Sequence, residues 1–193
     1  MNRLFAALAL ALAASPASAQ IVDEYCNDYW LVRNQAFNMA GYCFGSALGQ
    51  ALFDNSDCIG QDVALSPRNQ TLVARIRDIE GRGGCHVDTS RTSLPIPLTG
   101  LRLQLTDLAA RDEHSGAGCF GWTGAGFTLW SGFRADRAPL GAVQPGDDLI
   151  FLYDTRDAQR DWYYVEVERG GVPVGLGWSD TPMNWDLCTE AAG

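Results

Sequence analysis

The sequence predicts an α+β protein, in which a small disulfide-linked helical module precedes an antiparallel β domain. Three observations lead there. From Tyr25 to about Gly84 apolar residues recur at spacings of three and four, the period of a helix with one covered side. Beyond Gly100 the period falls to two, the signature of strands. The 6 cysteines, Cys26, Cys43, Cys58, Cys85, Cys119 and Cys188, all follow a leader that directs the chain to an oxidising compartment.

That leader is read from Arg3, the apolar run Leu4 to Ala14, and Ser15-Pro16-Ala17-Ser18-Ala19 before Gln20. A positive residue, a short apolar core and small residues at the cut define a secretory signal peptide, so residues 1–19 are assigned to it. The run is too short to span a bilayer, no later segment is long enough, and no lipobox cysteine stands at the cut. The expected location is the periplasm or the exterior, with no transmembrane segment.

The chain carries 14 Lys+Arg against 23 Asp+Glu, a formal net charge of -9, and contains no lysine. Losing Arg3 with the leader makes the balance more acidic still. Such a chain repels a phosphate backbone and an anionic membrane surface, and no arginine cluster offsets this, so nucleic acid is not an expected partner.

The helical module is assigned to residues 20–86. Trp30, Asn34 and Phe37 share a flank of a first helix that Gly41 can end with a positive φ, and Tyr42 and Phe44 can fold back onto that flank. Ser46 caps a second helix running to Phe53, and Asp54-Asn55-Ser56-Asp57 reads as a turn. Ser66-Pro67 opens a third, with Leu72, Val73, Ile76 and Ile79 as its apolar side and Gly81, Gly83 and Gly84 as its stop. A unit this small buries little apolar surface, and cystines supplement it. The order of the cysteines favours two bridges within this segment and a Cys119–Cys188 staple around the second.

Residues 87–100, with Pro95 and Pro97, read as a connector, and residues 101–190 as the β domain. Leu101, Leu103 and Leu105 alternate with polar residues as a strand does. Phe127 to Trp130, Leu149 to Tyr153, Trp162 to Glu168 and Val172 to Trp178 continue the pattern, with turns at Gln144-Pro145-Gly146-Asp147 and Arg169-Gly170-Gly171. Short strands, tight turns and no helical crossover predict a small barrel or sandwich. Gly116-Ala117-Gly118-Cys119-Phe120-Gly121 fits G-x-G-x-x-G, but neither a preceding buried strand nor an opening helix accompanies it, so it reads as a cystine-pinned loop or strand corner.

Two stretches resemble known families. Trp30 to Phe44, through Arg33, Asn34, Phe37, Gly41, Tyr42 and Phe44, resembles the YARHG domain, an extracellular bacterial module; Met39-Ala40 stands where that pattern has arginine-histidine, removing its most reactive side chain. Leu129 to Gly132, Arg137 to Val143, Pro145-Gly146-Asp147, Asp161 to Val165 and Gly177-Trp178-Ser179 are similar in order to a bacterial SH3-like domain. This second resemblance implies an SH3-like β-barrel of five or six strands, of a kind that accompanies cell-wall enzymes or binds peptides and wall fragments.

Strand alternation places Trp162, Tyr164, Glu166 and Glu168 on one face, and Tyr163, Val165 and Val167 on the other, which is the better core. If the first face is outward, Trp162, Tyr164 and Trp178 beside Glu166 suit a peptide or sugar carrying a positive group. The alternative is ordinary core packing. In the helical module Arg33 and Tyr42 suggest a shallow site for an acidic or peptide partner; the structural alternative has Arg33 paired with Asp28 or Glu24 and Asn34 bonding the carbonyls of the following turn. No catalytic residue is assigned. His86 and His114 lack a nucleophile motif, although a hydrolase built from His114, an acid and Ser131 is an alternative, and the cysteines are expected to be oxidised. No C-x-x-C or H-E-x-x-H occurs, Asp54 to Gly60 departs from a calcium loop, and no cofactor or metal is expected. The leading expectation is a noncatalytic periplasmic binding or interaction protein for a cell-wall fragment or an envelope peptide or protein. A purely structural accessory and an unrecognised periplasmic hydrolase are the alternatives.

Overall fold

The computed structural model describes residues 17–113, 116–156, 158 and 161–193, with side chains from Glu24 onward. Residues 1–16 of the expected leader, and His114, lie outside the described residues. Among the described residues no helix is long and apolar enough to cross a membrane.

Helix α1 spans Ala17–Asn38, α2 Ala47–Leu52 and α3 Pro67–Gly83. The expected caps are in place. Ser46 Oγ accepts from Gly49 N and Ser66 Oγ from Asn69 N, each satisfying an orphan amide worth about 1 kcal/mol. Gly84, at φ 63°, ends α3 in the left-handed region. Leu72, Val73, Ile76 and Ile79 form the buried side of α3, and α1 packs against it through Tyr29, Val32 and Ala36. The disulfides are Cys26–Cys85, joining α1 to the end of α3, Cys43–Cys58 and Cys119–Cys188.

The connector is not loose. Leu94 and Ile96 are buried against Trp30, Leu31, Phe44, Leu48 and Phe53. After it, Thr99–Arg102 forms a short helix, α4, in place of the strand expected from Leu101 to Thr106. Alternation misleads here because Arg102, its polar position, is the residue that turns inward, only 3% exposed.

Among the described residues seven strands follow: β1 Ala117–Trp122, β2 Phe127–Trp130, β3 Pro139–Val143, β4 Asp148–Phe151, β5 Tyr163–Arg169, β6 Val172–Ser179 and β7 Cys188–Ala192. They form one antiparallel sheet in the order β3-β2-β6-β5-β4-β1-β7. The sheet is open, which corrects the expectation of an SH3-like barrel. Its edges are β3 and β7, and closure would need these two to meet, yet β7 is tied to β1 by the Cys119–Cys188 bridge and no pairing joins it to β3 among the described residues. Sequence reading named none of β1, β3 and β7 as a strand, β1 because its glycines suggested a loop or corner and β7 because its residues are small.

Both faces of the sheet are covered. Val165 and Val167 join Leu129, Val143, Leu149 and Trp122 in one cluster, as the alternation of β5 suggested. Tyr164, Leu176 and Trp178 face the other way and pack under α1 and α3 with Val32, Ala36, Leu72, Val73 and Ile76. The helical layer therefore does for this face what barrel closure does in a free-standing barrel: it removes the apolar side from water.

Candidate functional site

The C-terminal end of α1 turns sharply. Gly41 adopts φ 83°, the amide of Tyr42 donates to Phe37 O at 3.1 Å, and the chain then runs beside residues 59–60, with Ile59 N donating to Gly41 O and Cys43 N to Gly60 O, both at 2.7 Å. The Cys43–Cys58 bridge pins this pairing. Asn55 clamps Phe44 from both sides, accepting from its amide at 3.0 Å and donating to its carbonyl at 2.8 Å. Tyr42 is thereby held edge-on to Phe37, 5.7 Å between ring centroids, and to Phe44, 5.0 Å.

Tyr42, Phe37, Asn34 and Arg33, together with Gln61 and Arg77 of α3, line a cavity of about 290 Å³. Two of the expected site residues, Arg33 and Tyr42, are thus brought together. Arg33 pairs with neither Asp28 nor Glu24. Its Nε donates to Glu80 Oε2 at 2.9 Å and its Nη2 to Glu80 Oε1 at 3.1 Å, a fork-to-fork pair. Asn34 bonds backward, from Nδ2 to Trp30 O at 2.7 Å, rather than to the following turn.

Sequence reasoning missed Arg77. Glu80 lies three residues on, a natural partner along α3, but Arg33 of the neighbouring helix takes that carboxylate. Arg77 is left exposed, its guanidinium 5.6 Å from the Phe37 ring centroid, and no carboxylate pairs with it among the described residues. The cavity therefore carries an unneutralised positive charge in an acidic protein. Its donors are the Arg77 guanidinium, the Tyr42 hydroxyl and the Gln61 amide, with the Arg33 guanidinium already forked onto Glu80. Such donors are of the kind that suit an oxyanion, while Tyr42, Gln61 and Asn34 also bring oxygen atoms that can accept.

A second cluster lies where α1 meets the sheet. Asp28 accepts from Arg102 Nη1 and Arg111 Nε, each at 3.0 Å, and the Tyr153 hydroxyl lies 2.7 Å from Asp28 Oδ2 and 2.8 Å from Glu166 Oε1. Glu166 also accepts from Arg102. Burial pushes the Tyr153 phenol well above its ordinary range, and the neighbouring carboxylates Asp28 and Glu166 push the same way. A larger cavity, about 470 Å³, opens beside this cluster between Tyr25, Tyr29, Ile79, Leu152, Arg111 and the Cys26–Cys85 bridge. Of its charged residues, Arg111 serves Asp28 and Glu113 pairs with Arg82 at 2.5 Å; Asp112 lines it as well. Size favours this cavity, but unmatched charge favours the smaller one.

The aromatic face expected around Trp162 does not form an open groove. Tyr164 is 2% and Trp178 0% exposed, and the Trp178 indole donates to Asp107 O at 2.8 Å. Trp162 is half-buried, and Glu166 belongs to the Asp28 cluster. Ser131 is buried and its Oγ accepts from Ala138 N at 2.9 Å, which fixes a loop and leaves it poorly placed for attack on a substrate. His86 is exposed beside the Cys26–Cys85 bridge. Among the described residues no group of acids, histidines or cysteines is arranged to hold a metal ion.

Residues 2–81 match the family model of the YARHG domain, and residues 84–193 match that of a domain of unknown function, DUF4453. The YARHG match extends the resemblance carried by Trp30 to Phe44. No curated protein and no solved structure matches the chain.

Proposed function

Since the chain belongs to the DUF4453 family and carries a YARHG domain ahead of it, we propose that it is a noncatalytic binding protein of the bacterial periplasm. Its ligand is a peptide or wall fragment that presents a carboxylate to the cavity of the helical module. One observation carries the reading: Arg33, Phe37 and Tyr42 of the YARHG-like stretch meet Arg77 of α3 around a single cavity, and among the described residues no carboxylate pairs with Arg77. Arg77 supplies the attraction, Arg33 is held in orientation by Glu80, and the Phe37 and Tyr42 rings form the apolar wall against which a peptide side chain can lie. Burial of Tyr164 and Trp178 favours a supporting, structural role for the sheet.

The test is titration of the purified chain with acetyl-Lys-D-Ala-D-Ala and with its C-terminally amidated form. Calorimetry should detect the free carboxylate and not the amide. Arg77→Ala should remove most of the binding with an unchanged melting temperature, and the peptide should be recovered intact. Equal binding of both forms, undiminished binding by the variant, or cleavage of the peptide would each overturn the reading.

A further inference from the structure

Trp162 has a neighbour that the sequence does not suggest. Strand β2 ends at Trp130, and the chain returns to β3 at Pro139 through a loop closed by Ser131, whose amide donates to Ala138 O at 2.8 Å. Arg137 projects from this loop between two tryptophans. Its guanidinium carbon lies 5.2 Å from the Trp130 ring centroid and 5.0 Å from that of Trp162. Both rings are half-buried.

The way this cation is held is unusual for so acidic a chain. Among the described residues no carboxylate pairs with Arg137; Nη1 donates to the backbone carbonyl of Arg134 at 3.0 Å, and Nε is buried without a partner. Ring faces therefore provide most of what the charge gains, as in an aromatic clamp for a cation. A buried donor left unsatisfied is a cost of the closed arrangement that a differently oriented cation does not bear. The loop backbone stays anchored, Arg134 holding the buried Asp107 through its amide at 3.2 Å and its Nε at 2.7 Å, so release needs only the Arg137 side chain to swing out past the exposed Ala135, Asp136 and Ala138.

We propose that Trp130 and Trp162 form a binding site for the guanidinium or alkylammonium group of a ligand, and that Arg137 is a built-in occupant which the ligand displaces. The net negative charge of the chain draws such cations toward it. Because Arg137 fills the clamp, the intrinsic affinity is reduced by the fraction of molecules in which the clamp is open. The site is independent of the Arg77 cavity, which takes the opposite charge.

The test follows the indole N–H signals of the full chain, labelled with nitrogen-15 and assigned by single Trp→Phe variants. N-acetyl-arginine methylamide and tetramethylammonium chloride are titrated in turn, with sodium chloride at equal ionic strength as the control. In Arg137→Gln, which keeps part of the aliphatic stem over the rings, the Trp130 and Trp162 signals should move with about tenfold tighter apparent binding than in the unaltered chain. A further Trp162→Leu change should abolish the gain. Arg137→Met is measured alongside so that loosening of one variant does not decide the matter. Binding of both cations assigns the site to cations in general, and binding of the arginine derivative alone assigns it to guanidinium. If neither variant gains affinity, or if all indoles shift as they do in sodium chloride, the clamp is only a packing contact and the proposal fails.

Discussion

Asp28 of α1 and Arg102 of α4 meet at 3.0 Å with side chains 2% and 4% exposed. The carboxylate belongs to the segment matched by the YARHG domain and the guanidinium to the segment matched by DUF4453. Arg111, Tyr153 and Glu166, also from the second segment, complete the enclosure. The two matched segments therefore share one buried electrostatic centre, next to an apolar cluster that also draws on both.

Removing Asp28 should consequently unlatch the two segments. Asp28→Ala leaves two buried arginines with too little negative charge, and the expected loss is about 3–5 kcal/mol, the range for breaking a buried pair from one side. Urea unfolding followed by tryptophan fluorescence measures it. Arg91→Ala, at the Arg91–Asp88 pair whose side chains are 56% and 50% exposed, is the control and should shift the midpoint little. Equal midpoints for the two variants would mean that the centre contributes no more than a surface pair.

The pH profile should fall at both ends, and the direction follows from the shifts. Burial raises the phenols of Tyr153 and Tyr164, and raises Tyr29 from 10.0 to about 12. These groups stay protonated in the folded chain where the unfolded chain has ionised, so stability is intact below pH 10 and declines as pH rises above it. Asp154 moves the other way. Its hydrogen bond from Arg156 holds the carboxyl down at about 2 against 3.8, so its contribution is present above pH 4 and disappears as pH falls toward 2. Thermal melts across pH should show both flanks, Tyr153→Phe should flatten the alkaline one, and Asp154→Asn the acid one. Unchanged slopes in these variants would reassign the flanks to other groups.

Much of this architecture is legible in the sequence where a local rule acts alone. Ser46, Ser66 and Gly84 mark helix ends by hydrogen bonding and φ, and they stand where expected. Cys119 and Cys188 bracket the sheet and do pair. What escaped depends on distant partners. Arg102 looks like the polar position of a strand until Asp28 draws it inward, and the choice between groove and core for Tyr164 and Trp178 falls to core only once the helices cover them. Arg33, on another helix, holds Glu80, and among the described residues no carboxylate pairs with Arg77. A period read along the chain cannot show which of two helices supplies a partner.

The Cys43–Cys58 bridge closes the shortest of the three loops, with a sequence separation of 15 against 59 and 69. Chain entropy alone gives about 3 kcal/mol for a loop of this size, and more for the longer ones. Cys43→Ser with Cys58→Ser should therefore lower the melting temperature less than loss of Cys26–Cys85. Its effect on the cavity should be larger, because it frees the segment that fixes Tyr42. The ratio of lost carboxylate affinity to lost stability, compared between the two double variants, decides the point; a larger ratio for Cys26–Cys85 would show that Tyr42 is positioned from elsewhere.

Gly41 is constrained twice, which allows its two roles to be separated. Its φ of 83° disfavours any residue with a side chain, and a Cβ there would stand 2.9 Å from Ile59 Cγ1. Gly41→Ala should destabilise by about 1–3 kcal/mol, the range for a strained backbone position and a tight contact together. Ile59 is itself 79% exposed, so Ile59→Ala should do little alone. Added to Gly41→Ala, it should recover the part due to crowding and leave the part due to φ. A double-mutant cycle by urea unfolding measures that division. Full recovery would assign the whole effect to the contact with Ile59, and no recovery would assign it to the backbone turn that sets Tyr42 against Phe37.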